Sequence, residues 1–188
     1  MIIRLIVKKI FSLLGWKILN VPTIPKGLIV ASPHARTADF FVGLCVRASI
    51  GLDIKYLGKA ELFKPPFGWI FYALGGTPLV RSEKKNQVQQ VVDKFNQHDK
   101  FLIAMAPEGT RKNVKKLRTG FYYMALAAGV PIIMAGFDYP RKYIIFAEPF
   151  VPSGNFELDM QTHFVPFYKN IEGDKKDWLF NYEKGQFD

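Results

Sequence analysis

The spacing of hydrophobic positions changes repeatedly along the chain, and each change marks an element. Over residues 1–20, Ile3, Ile6, Ile10, Leu13 and Leu14 recur at helical spacing, while Arg4 and Lys8 share another stripe; this is the pattern of an amphipathic helix. Pro22 and Pro25 break it. Beyond them, short apolar runs rich in β-formers predict buried strands over 28–31, 54–57, 78–80, 101–105, 131–136 and 143–147. Helix-like stretches lie between several of these, at 38–50, 65–74, 86–97 and 119–128. Strands alternating with helices predict an α/β fold, with a mixed, mostly parallel central sheet flanked by helices. In such sheets, ligands sit beyond the carboxyl ends of the strands. From 156 onward the chain becomes more polar, with Glu157, Asp159, Asp174, Lys175, Lys176 and Asp177, and predicts a peripheral helix followed by a surface tail.

Composition narrows the picture. At 188 residues and 49% hydrophobic, the chain is long enough for a full core and short enough for one globular unit. The division expected is a helix over 1–20 and one domain over 21–188. A net charge of +10 concentrates polyanions without choosing among nucleic acid, anionic lipid and acidic carriers. The single cysteine, Cys45, excludes an internal disulfide and reads as a core thiol. The segment 1–20 has no acidic residue, and its apolar stretches are interrupted too often to span a bilayer. Residues 15–18 supply no small-residue cleavage site. An interfacial helix, with Trp16 at headgroup depth, fits best; a core-packing helix with snorkelling lysines is the alternative.

Three clusters fall where predicted strands end. The first is Pro33-His34-Ala35-Arg36-Thr37-Ala38-Asp39. It puts His34 in a strand-to-helix loop and Asp39 in the next helix's first turn. Across this offset a carboxylate reaches one imidazole nitrogen, fixing the tautomer and supporting the imidazolium when the other nitrogen takes a proton. No protein nucleophile accompanies the pair, so a substrate hydroxyl deprotonated by His34 is the natural attacker on an acyl thioester. Taken alone, the pair equally fits a helix-cap aspartate beside an incidental histidine.

The second cluster is Ala106-Pro107-Glu108-Gly109-Thr110-Arg111. Glycine allows close backbone approach, Arg111 offers a planar fork suited to phosphate, and Glu108 is placed to hold that arginine or a substrate group. Thr119 is positioned to cap the following helix, while Lys112, Lys115, Lys116 and Arg118 read more simply as a solvated face. The third cluster, Gly75-Gly76-Thr77-Pro78-Leu79-Val80-Arg81, delivers a second cation to a strand end and is weak in isolation.

Taken in order, His34-x4-Asp39, Gly76 to Arg81, Pro107-Glu108-Gly109-Thr110-Arg111 and Val130-Pro131-Ile132-Ile133 resemble the glycerolipid acyltransferase family, which includes the 1-acylglycerol-3-phosphate acyltransferases. The resemblance implies that His34 is the base and Asp39 its orienting partner. It implies that Arg81, Glu108, Gly109, Thr110 and Arg111 bind the acceptor, with Lys59 at a basic position upstream of the second block. It further implies a fatty acyl transfer from acyl-CoA or acyl-carrier protein to a lysophospholipid hydroxyl, no metal and no cofactor. The expected location is peripheral, on the cytoplasmic face of an anionic membrane. The chain departs from the family pattern between His34 and Asp39, where Ala35, Arg36, Thr37 and Ala38 stand, and at Pro78 and Val80 before Arg81. Arg36 either contacts an acidic acceptor or faces solvent.

Other classes fit less well. A hydroxylated acyl-amino acid would satisfy either arginine through its carboxylate. A non-catalytic basic module for membrane or nucleic acid is the reading from a different class, but the basic residues do not interleave with aromatics as a nucleic-acid binder requires, and no nucleic-acid partner is expected. The Gly-x-Ser-x-Gly elbow and the Gly-x4-Gly-Lys-Ser/Thr loop are both absent from the sequence. The 17 phenylalanines suit an acyl tunnel and a packed core equally well.

Overall fold

The computed structural model describes residues 2–79 and 84–187. The apolar runs form strands β2 (Lys26–Ser32), β3 (Ile54–Lys59), β4 (Gly76–Leu79), β5 (Phe101–Met105), β6 (Ile132–Asp138) and β7 (Tyr143–Phe146), and Lys17–Leu19 forms an additional strand, β1. Among the described residues they make one sheet in the order β1-β7-β6-β2-β5-β3-β4. Its neighbours pair in parallel except β6 and β7, which are antiparallel. The fold is therefore the mixed, mostly parallel α/β arrangement that the alternation of runs predicts.

Helices cover both faces of the sheet, which is why the central strands are apolar on both sides. Along β2 and β6, Leu28, Val30, Ile132 and Met134 point to one core while Ile29, Ile133 and Ala135 point to the other. The first core is closed by α4 (Lys84–Gln97) through Val91 and Phe95, and by α5 (Gly120–Ala128) through Phe121, Tyr122 and Met124. The second is closed by α1 (Ile2–Leu13) through Phe11 and by α2 (Ala38–Ile50) through Val46. A short helix α3 (Gly68–Ala73) follows a turn of 3-10 helix and lies on the α2 side, where Phe71 and Phe40 line a common cavity. The helix predicted over 65–74 is thus shorter than its apolar pattern, while α2 occupies the predicted 38–50.

Two expectations are corrected. The N-terminal helix stops at Leu13, not at residue 20, because Gly15 takes a φ of 82° and turns the chain. Lys17 then donates its amide to Lys142 O at 2.9 Å, and β1 joins the sheet beside β7. Trp16 is half-buried, stacked on Phe11 with centroids 5.4 Å apart and edge-on to Tyr139 at 5.3 Å, instead of lying exposed for headgroup contact. The C-terminal region is not a peripheral helix with a surface tail. It folds as α6 (Phe156–Asp159), a π turn, α7 (Val165–Lys169) and α8 (Asp177–Glu183). Met160, Phe164, Tyr168, Trp178 and Tyr182 from these segments are buried in the first core. Fully burying side chains of this size is worth about 1.5–3 kcal/mol each, so this region is integral to the domain. No helix among the described residues is long and apolar enough to cross a membrane.

Candidate active site

β2 ends at Ser32 and α2 begins at Ala38, so residues 33–37 form the loop that the first cluster predicts at a strand's carboxyl end. His34 Nδ1 lies 3.0 Å from Asp39 Oδ2. The same oxygen accepts the amides of Ala35 at 2.9 Å and Arg36 at 2.8 Å. The other carboxylate oxygen, Oδ1, accepts the Tyr139 hydroxyl at 2.6 Å. Asp39 thus braces both the loop backbone and the imidazole. Burial raises its pKa, but hydrogen bonds from His34, Tyr139 and the Arg36 amide outweigh that cost and hold it below the ordinary value. The Tyr139 phenol is raised, first by burial and then by its bond to Asp39, so it stays a donor. With Nδ1 turned to Asp39, an imidazole held this way can exchange a proton through Nε2.

The loop after β5 lies beside it, because β2 and β5 are neighbours with Val30 opposite Met105. Glu108 is buried, and its carboxylate accepts Ser32 Oγ at 2.6 Å, the His34 amide at 2.8 Å and Lys176 Nζ at 2.7 Å. Gly109 follows with a φ of 66°, a left-handed backbone conformation that favours glycine. Arg111 is exposed and donates from Nη1 to Thr37 Oγ1 at 2.6 Å, tying the second loop to the first. Thr119 makes no side-chain capping bond to α5, contrary to its predicted role.

Two cavities meet at His34 and Arg111. One, of about 500 Å³, runs between α2 and β3 past Phe40, Tyr56, Leu57 and Phe71 and is largely apolar. The other, of about 520 Å³, is bounded by Gly109, Thr110, Arg111 and Lys112. An imidazole braced by a carboxylate, at the junction of an apolar channel and a cation-bearing pocket, can activate a hydroxyl that belongs to an amphiphile.

The sequence model of the family described as Acyltransferase matches residues 17–137. The chain belongs to this family. It is 36% identical over 84 residues to a 1-acyl-sn-glycerol-3-phosphate acyltransferase of Haemophilus influenzae, covering 41% of this chain and 35% of that one. To the Escherichia coli protein of the same description it is 37% identical over 84 residues, covering 41% and 34%. The chain spans about a third of the length of these curated relatives. In fold it is similar to the crystal structure of the 1-acyl-sn-glycerophosphate (LPA) acyltransferase PlsC of Thermotoga maritima, with a TM-score of 0.59 and 19% identity over 92% of this chain and 80% of that one.

Within the acyltransferase match, His34, Asp39, Gly109, Thr110 and Arg111 converge at the carboxyl ends of β2 and β5. Glu108 is adjacent, with its carboxylate fully buried and turned to Ser32, His34 and Lys176. Lys59 stands exposed at the end of β3, outside the lining of both cavities. Arg81, the other predicted clamp residue, lies outside the described residues, as does Val80. Arg36 neither points at the cavities nor faces water alone; it pairs with Asp174 at 2.7 Å and covers the Tyr139 ring at 4.3 Å.

Tyr139 and Lys176 are the residues that sequence reasoning misses. Tyr139 directly follows β6, a carboxyl strand end, and that position was the available signal. Lys176 sits in a charged run that reads as solvated surface, and nothing local distinguishes it.

Proposed function

We propose that this acyltransferase-family protein moves a fatty acyl group from acyl-CoA or acyl-carrier protein to the free hydroxyl of a lysophospholipid such as 1-acylglycerol-3-phosphate. The observation that carries the reading is the Asp39-braced His34 at the junction of the apolar cavity and the pocket bearing Arg111. The acyl chain occupies the apolar cavity, and the acceptor's phosphate meets Arg111, whose planar fork suits it. His34 Nε2 takes the hydroxyl proton as the oxygen attacks the thioester carbonyl. When the tetrahedral intermediate collapses, the carbon–sulfur bond breaks and the leaving thiolate recovers that proton from the imidazolium. Asp39 supports the imidazolium in between. The thioester is a co-substrate, and the step calls for no cofactor or metal of its own.

The lysolipid acceptor and the acylated product prefer a bilayer, and two surfaces suit the protein to one. On α1, Leu5, Ile6, Ile10 and Leu13 are exposed, and Leu14 just beyond the helix is exposed as well. On the same side of the sheet, at α3, Phe67, Trp69 and Tyr72 are exposed beside Lys64. Burying each such side chain in an apolar phase yields about 1.5–3 kcal/mol, and the +10 charge adds attraction to anionic headgroups. The water-soluble donors put this docking on the cytoplasmic face.

Purified protein assayed with both donors against a panel of lysophospholipids and hydroxylated acyl-amino acids tests the proposal. Turnover of phosphate-bearing lysolipids is expected. Acylation confined to amino-acid lipids would overturn the phosphate assignment, and no acyl transfer to any acceptor would overturn the reaction class.

A further inference from the structure

Lys176 is a lysine buried to 4% exposure, 142 residues downstream of His34, in a segment outside the acyltransferase match. Its ammonium has three partners: Glu108 Oε2 at 2.7 Å, the backbone carbonyl of His34 at 2.8 Å and the backbone carbonyl of Thr110 at 3.2 Å. Three donors meet three acceptors, which is the full capacity of an ammonium. Glu108 in turn accepts the His34 amide. Both peptide groups of the residue carrying the imidazole are therefore fastened to one buried ion pair, the N–H to the carboxylate and the C=O to the ammonium. The same ammonium holds the residue just before Arg111.

A buried pair costs desolvation and is weak evidence for stability. Neutralising Glu108 would need only one cation; the two backbone carbonyls, from two different loops, are what a charge-balancing role leaves unexplained. We infer that Lys176 is a positioning residue for acyl transfer, setting the register of the His34 loop against the Thr110–Arg111 loop. It touches no substrate. It acts through the backbone of His34 and Thr110, so its loss moves the base relative to the acceptor pocket. A shift of about 1 Å in such a constellation costs about 100-fold in rate.

The inference rests on His34 being the base of an acyl transfer, and the test separates the two. Replacing Lys176 alone strands a buried carboxylate, so K176M is compared with the neutral double variant E108Q/K176M. In each, thermal midpoint, kcat, the KM of each substrate and amide hydrogen exchange over 33–36 and 109–112 are measured beside the parent and H34A. K176M is expected to lower both the midpoint and kcat. In E108Q/K176M the midpoint is expected to recover to near the parent value, while kcat stays about tenfold or more below it and both loops exchange faster. Parent-like kcat and exchange in the double variant would overturn the inference, because they would leave Lys176 as a counter-charge alone. If the parent transfers no acyl group to any acceptor, the functional reading falls, and the exchange data still decide whether Lys176 registers the two loops.

Discussion

The two residues that meet at the site, His34 and Arg111, are held very differently. His34 is fastened through its amide to Glu108, through its carbonyl to Lys176 and through its ring to Asp39, which Tyr139 braces from behind. Arg111 is exposed and, among the described residues, has one side-chain bond, to Thr37. A base has to be in place before the hydroxyl arrives, since its catalytic value lies in preorganisation. A cation that receives a headgroup gains from freedom to reach it. On the proposed reading, the contrast gives the fixed part of the chemistry to the His34 side chain and the adaptable part, acceptor choice, to that of Arg111.

The largest expected effect is at the fixed end. H34A should lower kcat by about 10³-fold with the fold intact, checked by single-turnover kinetics and circular dichroism; substantial residual turnover would remove His34 from the base role. R111A should raise the acceptor KM by about 10- to 100-fold, the worth of a charge-assisted bond, with the donor KM little moved. If the donor KM rises instead, the adaptable loop serves the other substrate. Y139F removes one brace from Asp39 and should lower kcat by about tenfold, as a lost bond to a charged group does, while both KM values stay near the parent's. Replacing Leu5, Ile6, Ile10 and Leu13 by serine should weaken partitioning to anionic vesicles several-fold; a vesicle-induced blue shift in Trp69 fluorescence, absent in W69F, would report the α3 contact separately.

The smallest effect is the pH dependence of the brace. Asp39 has a folded pKa below its ordinary value near about 3.9. Its contribution to stability is therefore fully present above that ordinary value and is lost as pH falls through the folded one. The urea midpoints of parent and D39N should differ at neutral pH and converge in that acidic window. A gap that persists unchanged at low pH would mean the carboxylate's charge is not what braces the loop.

The sequence made the skeleton of this arrangement readable wherever function and local pattern coincide. The five-residue offset from His34 to Asp39 holds because a strand-to-helix loop has little room to vary, and the apolar run that predicts α2 sets where that loop ends. Gly109 was legible for a related reason: its positive φ is a local demand. The inward turn of Glu108 was not legible, because the partners that draw its carboxylate in come from the β2 end and from a segment far downstream. β1 escaped notice since Ile18 and Leu19 prolong an apolar stretch, and only the turn at Gly15 redirects it into the sheet. The C-terminal core escaped although Met160, Phe164 and Tyr168 recur four residues apart, because the charged run Asp174-Lys175-Lys176-Asp177 made the whole region read as surface.

The sequence separation of Lys176 and His34 also bears on when the protein becomes competent during its synthesis. His34, Asp39 and Arg111 are all made before residue 112, yet the ammonium that fastens their two loops follows 142 residues after His34. Until it arrives, Glu108 is a carboxylate without its cation, and closing so distant a contact is slow compared with forming the local elements around it. On the inference that Lys176 registers the two loops, a nascent chain that already carries His34, Asp39 and Arg111 holds them without their final register until Lys176 docks.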